Sequence, residues 1–162
     1  MRLKAMAKIN LGLDVLGKRE DGYHEVRMIM QTIRMYDILD IRKTRRPGIV
    51  LTTNLPFIPT DQRNLVYKAA QMLKEEFDVE EGLSIKLRKF IPVAAGMAGG
   101  SSDAAAAFVG VNRMFHLGLT EEQLMERAVK VGADVPYCIM RGTALAEGIG
   151  EKLTRLPEVP KC

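Results

Sequence analysis

The chain has 162 residues, of which 47% are hydrophobic and 27% charged, a balance typical of one compact globular domain. Its formal net charge of +4 could attract anions such as nucleotides or nucleic acid. Because the basic residues form no long block, we interpret the charge as an ordinary solvated surface and expect no nucleic-acid partner. Residues 1–16 contain no long apolar run, which predicts a cytoplasmic protein without a signal peptide or a membrane partner.

The two cysteines, Cys138 and Cys162, form no CxxC pair. They also lack metal-ligand spacing with His24 or His116. We therefore expect free thiols in a reducing compartment and no cysteine-based metal site.

The first third of the chain predicts β-structure. Residues 3–16 alternate between polar and apolar side chains, which predicts a strand broken near residues 5–7. The sequence KREDGY at 18–23 carries a turn signal. Residues 25–43 mix two periodicities and predict one long strand or two shorter ones, and residues 47–54 predict a further strand that begins at a turn.

Helical periodicity begins near residue 65. Apolar side chains at Leu65, Ala69 and Leu73 share one helical face, with Asp61 or Asn64 as the N-cap. Further on, the sequence predicts a strand over 82–91, helices over 102–115 and 120–130, and a closing hairpin over 142–156. The second of these helices starts with TEEQ, a capping box.

The stretch IPVAAGMAGGSSDAAAA, residues 91–107, places glycines directly before helix-forming alanines. The first turn of a helix has unpaired N–H groups and partial positive charge, so an anion fits there. Glycines allow a phosphate to approach the backbone, and Ser101 and Ser102 supply hydroxyl groups for phosphate or a metal ion. Neither the Walker motif nor the GxGxxG dinucleotide fingerprint matches. On this evidence a phosphate loop and a tightly packed turn both remain open.

Three segments in order carry a resemblance to a known family. PVAAGMAGGSSDAAA resembles the ATP-binding motif of the GHMP kinase superfamily. AKINLGLDVLGKREDGYHEV, at 7–26, and GADVPYCIMRGTALAEGIGE, at 132–151, resemble signatures of its branch that phosphorylates 4-diphosphocytidyl-2-C-methyl-D-erythritol. The resemblance implies an α+β fold like domain 2 of ribosomal protein S5, with a mixed sheet packed by helices, in a monomer or homodimer.

The activity implied by the resemblance is ATP-dependent phosphorylation of the 2-hydroxyl of that small molecule, in the non-mevalonate isoprenoid pathway. ATP and Mg²⁺ are the implied cofactors, with Ser102 best placed to approach the metal. The resemblance assigns ATP binding to Pro92, Val93, Ala94, Ala95, Gly96, Met97, Ala98, Gly99, Gly100, Ser101, Ser102, Asn64, Leu65 and Lys89.

Two residues are the catalytic candidates. Taken alone, Asp134 before Val-Pro could shape a turn, and Lys8 in an alternating strand could be solvated. The resemblance implies that Asp134 is the base that takes the proton of the acceptor hydroxyl. It also implies that Lys8 stabilises the charge that develops on the reacting oxygen and phosphate.

The substrate-binding candidates are Asn10, Tyr23 and His24. Asn10 lies two residues beyond Lys8, so both side chains share one face of the predicted strand. The resemblance assigns Asn10 to the methylerythritol portion of the substrate. It assigns stacking on cytosine to Tyr23 and hydrogen bonding at the cytosine edge to His24.

Two departures from the family pattern stand out. Met6 replaces the proline that is usual in the APAKINL stretch, which should alter strand stiffness and not the chemistry. The family also has a second domain of comparable size, so we expect residues 1–162 to be the N-terminal, ATP-binding domain.

The alternatives are a homoserine or mevalonate type of GHMP kinase, or a non-catalytic nucleotide- or RNA-binding domain. The sequence DGYH argues against the first alternative, and Lys8 with Asp134 against the second.

Overall fold

A mixed β-sheet with four helices forms the part of the chain described by the computed structural model, residues 1–18, 22, 24–157 and 159. In chain order the elements are β1 (Arg2–Lys18), β2 (His24–Thr44), β3 (Ile49–Thr53), α1 (Leu65–Glu76), β4 (Gly82–Arg88), α2 (Gly99–Phe115), α3 (Glu121–Ala128), α4 (Val135–Met140), β5 (Thr143–Gly148) and β6 (Lys152–Leu156).

The strand β2 organises the sheet. The strand order is β3-β4-β2-β5-β6, and β1 pairs antiparallel with β2 along most of its length. Only the pair β3–β4, which α1 connects, is parallel among the described strands; the other pairs are antiparallel. This mixed sheet packed by helices confirms the predicted α+β fold.

The two long strands match the sequence patterns closely. Residues 25–43, which allow one strand or two, form the single strand β2. The predicted break near residues 5–7 is a register shift between Met6 and Lys8 within a continuous β1. The closing hairpin is β5 and β6. The predicted turn at 18–23 lies mostly outside the described residues.

The helices begin where side-chain caps or small residues permit. Asn64 caps α1 by accepting a hydrogen bond from the Val66 N–H at 2.9 Å, so the second of the two predicted caps is correct. Thr120 forms the predicted capping box of α3. The helix α2 begins at Gly99, three residues before the predicted start, because the glycines themselves form its first turn.

The helix α4 was not predicted. Its sequence VPYCIM is short and holds a proline, which usually signals an interruption. A proline in the first turn of a helix is tolerated because that position needs no N–H partner. Here Pro136 occupies such a position, and all six residues of α4 are buried.

The core lies between the sheet and the helices. Ala104 to Ala107 are at most 3% exposed, and their small side chains let α2 approach the sheet closely. Phe108 and Tyr137 are the largest fully buried side chains. Among the described residues, no helix combines the length and apolar character needed to cross a membrane.

Replacement of Gly82 by alanine tests the packing at the start of β4. A Cβ there would lie 1.8 Å from the Arg46 carbonyl oxygen and 2.3 Å from Thr44 Oγ1. We expect Gly82→Ala to lower the free energy of unfolding by roughly 2–3 kcal/mol, measured by urea denaturation. Gly17→Ala is the control, because open space surrounds that position; equal effects of the two changes would contradict the packing described.

Candidate functional site

A cavity of about 330 Å³ opens beside the glycine-rich loop, within the size range of small-molecule sites. It brings together most of the residues assigned to ATP by the sequence. The lining residues are Ile58, Pro59, Arg63, Asn64, Leu65, Leu87, Lys89, Pro92, Val93, Ala94, Ala95, Gly96, Met97, Ala98, Gly99, Gly100 and Asp103. Ser101 and Ser102, which the sequence also assigned to ATP, are not part of this lining.

The start of α2 leaves its backbone donors available. Its N-cap, Ala98, is an alanine in the left-handed region (φ 54°) and makes no side-chain capping bond, whereas α1 and α3 both have side-chain caps. Ala94 has φ 59° as well. Backbone strain of this kind at non-glycine residues is concentrated at ligand sites. The uncapped amides and the helix dipole therefore favour an anion at this end of the cavity.

The loop is attached to β1 by two hydrogen bonds. The Lys8 N–H donates to the Met97 carbonyl at 3.1 Å, and the Ser102 hydroxyl donates to the Met6 carbonyl at 2.6 Å. Ser102 is 2% exposed. Its hydroxyl thus joins the helix to the strand beneath the loop, and does not face the cavity.

The two catalytic candidates lie next to each other. Lys8 Nζ is 3.5 Å from Asp134 Oδ2, and the Lys8 side chain is 6% exposed while that of Asp134 is 30% exposed. Lys8 Nζ also donates to Asn10 Oδ1 at 3.0 Å, in agreement with the shared strand face. The arrangement joins a buried ammonium group, an accessible carboxylate and an amide beside the loop.

The helix α4 holds Asp134 in position. Asp134 is the N-cap residue of α4 and is followed by Val135 and Pro136. One turn later Cys138 is buried, with its Sγ 3.5 Å from Ser102 Oγ, so α4 packs on the start of α2. Burial raises the pKa of the Cys138 thiol to about 12, and Cys138 is a free cysteine, as predicted. Cys162 lies outside the described residues.

A buried ion cluster supports the floor of the cavity. Lys89 Nζ donates to Asp103 Oδ2 at 2.6 Å and to Asp37 Oδ2. Asp37 Oδ1 accepts the backbone N–H groups of Phe90 and Ile91. Asp37 is fully buried, and Lys89 and Asp103 are 8% and 2% exposed. Lys89 therefore lies at the cavity, but its ammonium group is already paired with two carboxyl groups.

The protonation of the cluster follows from its burial. Desolvation raises the pKa of Asp103 well above its usual value, with smaller raising contributions from the nearby Asp37 charge and a hydrogen bond to Asp37. The two carboxyl groups raise the pKa of Lys89 against the opposing effect of its burial. Pairing of each buried group with a partner of opposite charge lowers the cost of burying the cluster.

Sequence reasoning missed Asp37, Asp103 and Arg63. Asp37 had a detectable signal, because it shares the buried parity of β2 with Leu39 and Ile41. Asp103 stood within the quoted loop motif but was given no role. Arg63 lines the cavity and pairs with Asp61 at 2.8 Å; nothing in its sequence context separates it from a solvated arginine.

The predicted substrate contacts are not all brought together. Asn10 lies beside Lys8, but His24 is exposed at the far end of the β1–β2 ribbon, where it pairs with Lys18. Thr32 is the β2 partner of Lys8, so His24 lies roughly 25 Å away along an extended strand. Tyr23 lies outside the described residues. The role predicted for His24 stays a prediction.

A larger cavity, about 540 Å³, lies between the start of β1 and the helices α2 and α4, near Arg2, Lys4, Arg113 and Arg141. It contains none of the residues assigned by the sequence motifs and has no uncapped helix start. The smaller cavity is therefore the better candidate for the functional site.

Comparison with known proteins agrees with this geometry. A family model described as the N-terminal domain of GHMP kinases matches residues 64–142, which include the loop and Asp134. The 4-diphosphocytidyl-2-C-methyl-D-erythritol kinase of Lachnospira eligens is 58% identical over 162 residues, 100% of this chain and 56% of that protein. The kinase of the same name from Lachnoclostridium phytofermentans is 59% identical over 160 residues, 99% of this chain and 55% of that protein. The chain belongs to the GHMP kinases.

Solved structures place this GHMP kinase domain in the same fold. A crystal structure of 4-(cytidine 5'-diphospho)-2C-methyl-D-erythritol kinase has a TM-score of 0.82 at 35% identity, covering 96% of this chain and 55% of that one. The Methanococcus jannaschii mevalonate kinase has a TM-score of 0.74 at 15% identity, over 97% and 56% of the two chains, which shows the fold alone. The GHMP kinase domain spans about half the length of the curated relatives it matches.

Removal of the Lys89 charge tests the ion cluster. We expect Lys89→Met to lower the free energy of unfolding by about 3 kcal/mol at pH 7, because two buried carboxyl groups lose their cation. Burial already raises the pKa of Asp103, and removal of the opposing Lys89 charge raises it further, so the folded variant binds a proton more readily than the unfolded chain. The deficit relative to the wild type should therefore shrink as the pH falls from 7 to 5.

Lys86→Met is the matched control, because Lys86 lies in β4, three residues before Lys89, with its side chain exposed. We expect it to change the free energy of unfolding by less than about 0.5 kcal/mol. A Lys89→Met deficit that is equally small, or one that grows at lower pH, would contradict the cluster described.

Proposed function

We propose that this chain is the ATP-binding domain of a kinase that transfers the γ-phosphoryl group of ATP to the 2-hydroxyl of 4-diphosphocytidyl-2-C-methyl-D-erythritol. The observation that carries the proposal is the position of Lys8 Nζ, 3.5 Å from Asp134 Oδ2, on a strand that is hydrogen-bonded to the glycine-rich loop. The names of the relatives that match the whole chain support the choice of substrate.

The start of α2 would bind the phosphates of ATP. The uncapped N–H groups after Ala98 would donate hydrogen bonds to the phosphate oxygens, with help from the helix dipole. Gly99 and Gly100 carry no side chains that would keep a phosphate from the backbone. The adenine of ATP would lie on the other side of the loop, between Asn64, Leu65 and the cluster around Lys89.

Asp134 and Lys8 would catalyse the phosphoryl transfer. The carboxylate of Asp134 would orient the acceptor hydroxyl and take its proton as the oxygen attacks the γ-phosphorus. The adjacent ammonium of Lys8 would stabilise negative charge on the attacking oxygen and the transferring phosphoryl group. Asn10, hydrogen-bonded to Lys8, would fix the lysine and contact the polyol of the substrate.

The residues do not form a ready magnesium site. Within the described ranges no three His, Cys, Asp or Glu side chains lie close enough to bind a metal ion. The Ser102 hydroxyl is buried and donates to Met6, so Ser102 does not fit its predicted role as a metal ligand. Mg²⁺ bound to ATP neutralises phosphate charge and is held mainly by phosphate oxygens and water. No step of the proposed mechanism depends on a protein ligand to it.

We further propose that two domains form the complete substrate site. Residues 1–162 would be the N-terminal domain, and a C-terminal GHMP domain would close the substrate site. A row of apolar side chains on β1, Ile9, Leu11, Leu13 and Val15, is 37–60% exposed, and an apolar row of that length is typical of a surface that another domain covers. The cytidine end of the substrate would extend along this ribbon toward His24.

Replacement of the proposed base should abolish turnover with little effect on binding. We expect Asp134→Asn to lower kcat by about 10²–10⁴-fold, because the amide cannot take the proton. Lys8→Met should also lower kcat, while the KM for ATP changes less than threefold in both variants. The measurement is a coupled assay of ADP release by the two-domain kinase.

Glu126→Gln on the exposed face of α3 is the control for loss of an acidic side chain and should retain wild-type turnover. Near-normal kcat in Asp134→Asn would show that the base assignment is wrong. A proportional rise in the KM for ATP in both variants would instead indicate a binding role for the pair.

Substrate choice is tested by competition. We expect the wild-type kinase to phosphorylate 4-diphosphocytidyl-2-C-methyl-D-erythritol at least 100-fold more efficiently than homoserine or mevalonate, measured as kcat/KM. Preference for either of these would favour the corresponding GHMP kinase. Tight, salt-sensitive RNA retention in a filter assay, without turnover of any small molecule, would favour the non-catalytic alternative.

A further inference from the structure

The larger cavity, about 540 Å³ between the start of β1 and the helices α2 and α4, has an apolar interior and a basic opening. Among its apolar lining residues, Leu124, Ile139 and Met140 are at most 8% exposed, so they lie at its inner wall. Its charged lining residues are all exposed and lie at the opening; they are Arg2, Lys4, Arg113, Glu121 and Arg141. We call this site the basic cavity.

Two of the five charged groups at the opening already have partners. Arg2 Nε donates to Asp40 Oδ1 at 2.7 Å. The carboxylate of Glu121 accepts a hydrogen bond from the Arg155 guanidinium at 2.5 Å. Each of these ion pairs is neutral, so neither Arg2 nor Glu121 changes the net charge of the opening.

The other three groups are cations whose charge is not balanced. Within the part of the chain that the structure describes, Lys4, Arg113 and Arg141 form no ion pair with a carboxylate. The ammonium group of Lys4 lies 4.3 Å from the centre of the Tyr36 ring, a contact that brings no negative charge. Three unbalanced positive charges at the opening of one cavity attract an anion.

The backbone of Arg141 supports a role for its side chain. Arg141 has φ 59° and ψ −178°, a conformation that is almost restricted to glycine and costs any other residue free energy. Among the described groups, its guanidinium donates one hydrogen bond, from Nη2 to the Lys4 carbonyl at 2.9 Å. A single exposed hydrogen bond contributes little to stability, so we infer that the guanidinium has a further use.

We propose that the basic cavity binds an organic phosphate with a short apolar body. The planar guanidinium groups of Arg113 and Arg141 match the oxygens of a phosphate. Three unbalanced cations attract a doubly charged phosphate more strongly than a singly charged carboxylate. The apolar body would lie against Ile139 and Met140. The basic cavity shares no lining residue with the cavity beside the glycine-rich loop, so the inference is independent of the proposed function.

Isothermal titration of this chain tests both halves of the ligand. The probes are hexyl phosphate, inorganic phosphate, hexanoate and hexanol. We expect hexyl phosphate to bind at least about tenfold more tightly than inorganic phosphate, because its chain buries apolar surface. Hexanoate should bind more weakly than hexyl phosphate, and hexanol should not bind measurably. A saturating β,γ-imido analogue of ATP should leave the affinity for hexyl phosphate unchanged.

Arg141→Gly separates ligand binding from structural support. The change removes the guanidinium and allows the backbone angles of residue 141 without strain. We expect the affinity for hexyl phosphate to fall at least about tenfold. The urea midpoint should stay at the wild-type value or rise, because the relief of strain outweighs the freedom that glycine adds to the unfolded chain.

Arg113→Gln is the second variant, because Arg113 is exposed on α2 and its loss leaves the core intact. We expect it to weaken the binding of hexyl phosphate by about three- to tenfold. Arg45→Gln is the matched control, because Arg45 is exposed after β2 and does not line the basic cavity. It should keep the wild-type affinity.

Several results would overturn the inference. Wild-type affinity in Arg141→Gly, with a lower urea midpoint, would show that Arg141 supports the structure and does not bind the phosphate. Equal affinities for hexyl phosphate and hexanoate, or for hexyl phosphate and inorganic phosphate, would contradict the proposed ligand. Displacement of hexyl phosphate by the ATP analogue would place the probe at the glycine-rich loop. Loss of binding in the two-domain kinase would show that the second domain covers the basic cavity.

Discussion

The attachment of β1 to the glycine-rich loop is the contact on which the rest of the site depends. The hydrogen bonds from Lys8 to Met97 and from Ser102 to Met6 fix the strand against the first turn of α2. Because the backbone of Lys8 is held at the loop, its side chain is held there too. The packing of Cys138 on Ser102 then brings α4, with Asp134 at its start, to the same point. A break in this contact would separate the three parts of the proposed catalytic site.

The second constraint is electrostatic and lies beneath the loop. Asp37 comes from β2, Lys89 directly follows β4 and Asp103 comes from α2, so one cluster joins the sheet to the helix. Burial of three ionisable groups is costly unless each is paired. The cluster accordingly pairs Lys89 with both acids and Asp37 with two backbone N–H groups.

The glycine-rich loop combines unfavourable backbone angles with unpaired N–H groups that could bind an anion. Ala94 and Ala98 adopt left-handed backbone angles that cost alanine free energy, and α2 begins without a side-chain cap. The rest of the fold compensates with a well-packed core and capped neighbouring helices. A bound anion would satisfy the amides left free, so ligand binding should stabilise the loop and the start of α2.

The sequence by itself determined the strands and three of the four helices, and it marked the loop as a candidate phosphate site. These features follow from alternation, caps and glycine placement, which act over a few residues. The helix α4 was not predicted, because a proline usually indicates a helix interruption. Only the structure shows that Pro136 lies in the first turn, where it is tolerated. Tertiary structure alone decided that Lys8 meets Asp134, that the Ser102 hydroxyl faces inward, and that Lys89 is paired with Asp37 and Asp103. Each of these depends on contacts between residues far apart in the chain. Local sequence patterns carry no information about which distant side chains come into contact.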